Sequence, residues 1–205
     1  MAGTRGYSKA SGLKLVAAAL AAAGALALAA GTYAQQQPKL QVDPSAATAK
    51  QPGVDTSGKA PVVNITTPGQ GGVSHNVWKD YNVGKEGIVF NNATQAGQSQ
   101  LMGQLGANPN LAGGNYAKLI LNEVTGGNIS QLLGYTEVFG HSADFILANP
   151  AGVTCNGCGF INTPRVTLTT GTPDFGADGA FKGFNVSGSG SIRFEGAGPV
   201  ADVRQ

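Results

Sequence analysis

The segment from Gly134 to Gly171, GYTEVFGHSADFILANPAGVTCNGCGFINTPRVTLTTG, constrains the fold more than any other part of the chain. Short β-branched and aromatic runs alternate there with turn dipeptides, and no apolar stripe of helical length appears. Asp144-Phe145-Ile146-Leu147-Ala148 is strand-length and stops at Asn149-Pro150, where Asn bonds into its own turn and Pro presets the next φ. Arg165 to Thr170 is a second such run and stops at Gly171-Thr172-Pro173. The two runs start 21 residues apart, a period suited to one turn of a β-solenoid. The same offset leads on to Val186 in the run Phe184–Ser187. Phe145, Leu147, Val166, Leu168 and Val186 are therefore expected to stack as an inward column.

The N-terminus reads as an address rather than as fold. Arg5, Lys9 and Lys14 precede an Ala/Leu-rich run from Leu15 to Ala30, and Thr32-Tyr33-Ala34 offers small residues for cleavage between Ala34 and Gln35. This is the pattern of a Sec signal peptide over residues 1–34, which makes the Sec translocon an expected partner. The apolar run is shorter than the roughly 18 residues of a membrane span. Removing those three cations leaves 10 Lys and Arg against 11 Asp and Glu, a net charge of about −1. With the basic residues scattered singly, no nucleic-acid surface is expected.

Residues 35–60 are polar and Pro-bearing, and read as a disordered leader or linker. Residues 61–205 form one domain of ordinary size. Candidate strands are Val62–Thr66, Val73–Val77, Gly87–Phe90, Lys118–Glu123, Leu132–Val138, Phe145–Ala148, Gly159–Ile161, Arg165–Thr169, Phe184–Ser187 and Ser191–Glu195, with one helical window at Gln95–Leu105. An all-β sandwich or barrel with hairpin turns competes with a parallel β-helix, and the 21-residue offset favours the helix. Gly159–Ile161 and Ser191–Glu195 would then be second-sheet strands of successive coils.

Two cysteines in an exported chain point to a disulfide, Cys155–Cys158, clipping a tight turn; a free thiol pair is the alternative. Gly159, Ile161 and Pro164 follow where a redox motif would open a helix, and haem attachment would need His at residue 159. A zinc site would need two further ligands, and His75 and His141 are lone. No nucleophile elbow accompanies these histidines, and Glu123, Glu137 and Asp144 are too dispersed for a β-helical carbohydrate enzyme. No catalytic residue, cofactor or metal is expected.

Asn76-Val77-Trp78-Lys79-Asp80-Tyr81-Asn82-Val83-Gly84-Lys85-Glu86-Gly87, followed by Val89-Phe90-Asn91-Asn92, resembles the opening of a two-partner-secretion domain. Asn108-Pro109-Asn110-Leu111 is similar to one hallmark motif of that family. Asn149-Pro150-Ala151-Gly152-Val153 is similar to a second, with Ala151 for the usual Asn and Val153 for the usual Ile. The resemblance, to the haemagglutination activity domain of filamentous haemagglutinins and contact-dependent growth-inhibition toxins, runs from about Pro61 past Pro173.

It implies an all-β, right-handed parallel β-helix with an N-terminal cap and extra-helical strands. It also implies a secretion module, recognised by the POTRA domains of an Omp85-like outer-membrane transporter of the TpsB type, so that the product is secreted or displayed at the cell surface. On this reading residues 61–205 are that domain, truncated at its C-terminal side. The two Asn-Pro motifs read either as turns that close coils or as transporter contacts. The alternative function is a free-standing surface adhesin fragment that binds host or neighbouring bacterial cells.

Overall fold

A computed structural model describes residues 40–196 and 200–202, the last three as backbone only. The expected signal peptide, its cleavage point at Ala34/Gln35 and the first leader residues lie outside the described residues. The rest is β-structure with single 3-10 turns, and no α-helix occurs among the described residues.

An N-terminal cap opens the fold. Strand β1 (Gln41–Val42) lies antiparallel on β4 (Val73–Asp80), and β2 (Gly53–Asp55) lies antiparallel on β3 (Val62–Asn64). Residues 40–60 are thus part of the fold and not the disordered leader their composition suggested. Their backbone bonds are supplied by β3 and β4, partners that a local reading does not see. Asp43 anchors the segment, accepting from Ser45 Oγ at 2.6 Å and from Thr125 Oγ1.

After the cap the chain winds through three parallel faces. The first coil runs from β4 past Val83 to β5 (Ile88–Asn92). An antiparallel hairpin, β6 (Gly97–Ser99) and β7 (Gly103–Leu105), then leaves the coil. This hairpin replaces the helix expected over Gln95–Leu105; Gly103 at φ 83° makes the turn, and Leu101, Met102 and Leu105 pack on Val62, Val89, Ala93 and Phe139. The second coil is β8 (Leu119–Val124), β9 (Ser130–Leu132) and β10 (Tyr135–Gly140), and the third is β11 (Asp144–Ala148), β12 (Gly152–Asn156) and β13 (Gly159–Ile161). The expected single strand Leu132–Val138 is divided at Gly134, where a Cβ would stand 2.3 Å from the Gly84 carbonyl oxygen. The fourth coil is β14 (Val166–Thr169), the hairpin β15 (Thr172–Phe175) and β16 (Phe181–Asn185), then β17 (Ser191–Glu195) and β18 (Val200–Asp202). The architecture is the right-handed parallel β-helix with its cap and extra-helical strands.

Register fixes which residues stack. Phe145 pairs with Val166 and Leu147 with Leu168, at the 21-residue offset seen in the sequence. Phe145 and Leu147 are buried, and Val166 and Leu168 pack against them. The column does not continue to Val186, which is 68% exposed. Hairpin β15–β16 intervenes, and the same fourth coil goes on to place Ile192 beside Val153 and Phe194 beside Cys155. Gly159–Ile161 and Ser191–Glu195 do fall on successive coils but on different faces, since β13 joins β10 and β17 joins β12.

The core is a continuous aromatic line. Trp78 meets Tyr81 at 5.6 Å, Tyr81 meets Phe90 at 6.3 Å, Phe90 meets Phe145 at 5.2 Å and Phe145 meets Phe160 at 5.9 Å between ring centroids. Each such side chain removed from water contributes on the order of 1.5–3 kcal/mol. Asparagines complete the interior: Asn76 and Asn122 are in register, and Trp78 Nε1 donates to Asn122 Oδ1 at 3.0 Å.

Candidate functional site

The two Asn-Pro motifs sit at different corners of the β-helix and share no hydrogen-bond partner. Each is built on a buried asparagine whose amide faces inward and whose following residues face outward.

Asn108 is 1% exposed and caps the 3-10 turn Pro109–Leu111. Its Oδ1 accepts from the Asn110 N–H at 2.9 Å, which satisfies one orphan donor of the turn. Its Nδ2 donates to the Ile65 carbonyl at 3.0 Å and to the Asn91 carbonyl at 2.8 Å. Proline at the first turn position costs no hydrogen bond there. Leu111 closes the motif by entering the core, while Pro109 and Asn110 remain at the surface. Asn110 Nδ2 reaches back to Ile65 O at 3.0 Å. The motif therefore pins the chain returning from hairpin β6–β7 to the ends of β3 and β5.

Asn149 is fully buried and ends β11. Its Oδ1 accepts from Ala151 N at 2.9 Å, and its Nδ2 donates to Asn128 O at 3.0 Å and Ser130 Oγ at 2.9 Å, both in the preceding coil. Its own N–H donates to Thr169 O of the following coil at 2.9 Å. The turn uses the backbone of residue 151, so Ala151 serves it as well as a larger side chain would. Gly152 adopts φ 122°, and a Cβ there would lie 2.7 Å from Ser191 O. Val153 is buried between Ser130 and Ile192. Pro150 and Ala151 are half-buried at the surface.

Cys155 and Cys158 are bonded, with Cα atoms 5.3 Å apart, and both are buried in the core cluster. They follow the Asn149 turn directly and link β12 to the start of β13.

A third corner asparagine went without a role in the sequence, although it stands in the Asn91-Asn92 pair that carries the family resemblance. Asn92 Nδ2 donates to Ala117 O at 2.9 Å and His141 O at 2.8 Å, and its Oδ1 accepts from Ala117 N at 2.8 Å. Like Asn108 and Asn149 it accepts one bond and donates two, but its acceptor serves the distant Ala117 N–H and not a turn of its own. A polar residue at the end of an apolar run was the available signal.

The remaining candidates serve separate local contacts. His75 Nε2 lies 2.7 Å from Glu123 Oε2 and its ring stacks on Phe175 at 4.9 Å. His141 stacks on Tyr116 at 3.8 Å. Asp144 pairs with Arg165 at 2.8 Å. Glu137 is buried and accepts from Ser99 Oγ at 2.7 Å, Gln100 N at 2.8 Å and Leu101 N at 2.9 Å, which ties hairpin β6–β7 to β10. Among the described residues no three His, Cys, Asp or Glu side chains converge as a metal site.

Known proteins resemble this chain in sequence and fold. A family model described as the TPS secretion domain matches residues 38–202. The 16S rRNA endonuclease CdiA of Enterobacter cloacae is 60% identical over 139 residues, covering 67% of this chain and 4% of that protein. A hemolysin of Serratia marcescens is 48% identical over 173 residues, covering 83% of this chain and 10% of that protein. The crystal structure of the filamentous hemagglutinin secretion domain superposes with a TM-score of 0.70 at 41% identity, covering 79% of this chain and 51% of that one. The chain thus spans a small fraction of the length of the CdiA protein and the hemolysin, and about half of the filamentous hemagglutinin secretion-domain chain.

Proposed function

The chain belongs to the TPS secretion domain family, and on that premise we propose that it addresses an exported exoprotein to an outer-membrane transporter of the TpsB type. The observation that carries the proposal is the match over residues 38–202 together with two outward-facing turns held rigid by buried asparagines. The domain is a secretion module, and its part in the process is recognition without bond chemistry. Residues 1–34 would direct the chain through the Sec translocon. The POTRA domains of the transporter would then read the chain in the periplasm.

Two surfaces suit that contact. Pro109 and Asn110 project from their turn and Pro150 and Ala151 reach the surface half-buried, while Asn108 and Asn149 hold them in place. Strand β2 is exposed throughout and, among the described residues, is the outer strand of its sheet, so that side suits a partner strand added by β-augmentation. With no ATP at the outer membrane, folding of the coils after passage would favour outward movement.

The test is secretion of the chain into the medium with and without a co-expressed cognate transporter. Release only with the transporter is the expected result. Equal release without it would overturn the proposal, and binding of that product to host or neighbouring cells would establish the adhesin reading in its place.

A further inference from the structure

We propose that the Cys155–Cys158 disulfide is made before the β-helix closes, by a disulfide-bearing oxidant acting on the unfolded chain, and is sealed from exchange once the coil has formed. Thiol–disulfide exchange needs one sulfur to reach another along the S–S axis. In the folded chain Cys155 is 0% and Cys158 1% exposed. Cys155 lies between Leu132 of the coil below and Phe194 of the coil above, and both cysteines belong to the same core cluster as Val153 and Phe160. Only Asn156 and Gly157, the two residues they bracket, face water. A protein oxidant that must present its own disulfide to Sγ has no approach.

The unfolded chain has no such barrier. The cysteines are 3 residues apart in sequence, and Gly157 takes φ 80° without crowding, its nearest neighbour being Leu133 O at 3.9 Å from a Cβ position. Ring closure therefore needs no tertiary contact. One cysteine thiolate attacks the oxidant's disulfide to give a mixed disulfide and one oxidant thiolate. The second cysteine thiolate then attacks the chain's own sulfur in that mixed disulfide and releases the second oxidant thiolate. The chain loses two electrons and two protons, and the oxidant's disulfide becomes a dithiol. On the secretion reading above, this places the oxidation in the periplasm, ahead of the transporter. The bridged loop of two intervening residues leaves the chain extended enough to thread.

The test needs no transporter, so it fails independently of the secretion reading. The purified oxidised chain and a disulfide peptide of residues 150–163 are each mixed with reduced thioredoxin, quenched and alkylated, and the free thiols are counted by mass. The peptide is expected to exchange roughly a hundredfold or more faster, since exchange in the folded chain waits on local opening. In the converse arm the reduced chain and the dithiol peptide are offered an oxidised thioredoxin-fold protein. A folded reduced chain should keep both thiols while the peptide is oxidised; a reduced chain that stays unfolded should oxidise at the peptide's rate and then fold. Exchange of the folded chain at the peptide's rate in either direction would overturn the proposal.

Discussion

Replacing Asn108 separates two accounts of the first motif. If Asn108 acts only as a turn cap, Asp should serve as well as Asn, because the two are comparable caps. The structure assigns it more. Asn108→Ala removes the cap to Asn110 N, worth about 1 kcal/mol, and two bonds to the Ile65 and Asn91 carbonyls, worth about 1 kcal/mol each. The Ile65 carbonyl keeps Asn110 Nδ2 at 3.0 Å, so its loss is partly offset. The total is about 2–3 kcal/mol, or a fall of roughly 4–12 °C in thermal midpoint for a domain of this size. Asn108→Asp keeps the cap but turns a carboxylate oxygen toward two buried carbonyls at the positions now 2.8 Å and 3.0 Å from Nδ2. It should cost more than Ala, about 4 kcal/mol or more at neutral pH. A protonated carboxyl can donate to one carbonyl, so the deficit of Asn108→Asp should shrink as pH falls, whereas that of Asn108→Ala should not. The assay is the midpoint of the purified variants at fixed scan rate, at pH 7 and pH 4, with secretion measured alongside. An Asn108→Asp variant as stable as the parent at pH 7 would refute the donor role and leave a turn cap alone.

Further outcomes follow from other contacts. Gly152→Ala combines a strained φ with a 2.7 Å approach to Ser191 O, whereas Gly179→Ala meets only a strained φ of 77° in open space. In urea titrations the first should lose clearly more than the second, whose cost is about 1–2 kcal/mol. Glu137→Ala removes the carboxylate that accepts from Ser99, Gln100 and Leu101. Amide exchange should accelerate across residues 97–105 while β8 and β11 keep their protection. The Asp43 carboxyl is held down at about 2 by the Ser45 hydroxyl, then by Thr125 and the Ser45 N–H. Its folded value lies below the ordinary 3.8, so its contribution is complete above that pH and is lost as pH falls through about 2. Midpoints followed from pH 5 to pH 2 should fall less steeply in Asp43→Asn.

Much of the β-helix could be read locally, since strand-length runs punctuated by Asn, Gly and Pro need no knowledge of partners. The runs at Val73, Phe145, Gly159 and Ser191 recur as β4, β11, β13 and β17. Both Asn-Pro motifs were visible because a turn is a contact between near neighbours. The inward facing of their asparagines was not, since each donates to groups far off in sequence, Asn108 to the Ile65 and Asn91 carbonyls and Asn149 to the Asn128 carbonyl and the Ser130 hydroxyl. Gln95–Leu105 looked helical because a short polar-apolar run fits either period, and it became a hairpin because Glu137 and the apolar surface around Phe139 were there to receive it.

The sequence by itself determined an all-β chain, the positions of its two Asn-Pro turns and one coil length, the 21 residues between Phe145 and Val166. Only the tertiary structure decided what stacks elsewhere. Hairpins β6–β7 and β15–β16 lengthen their coils without altering the pairing, so Val73 meets Leu119 and Val153 meets Ile192 while Val186 is left in water. The reason is that a strand's alternation marks a face for burial but carries no address for its neighbour. The neighbour is chosen by where the chain next returns to the coil, and the returning residues must fill the core and satisfy the carbonyls waiting there.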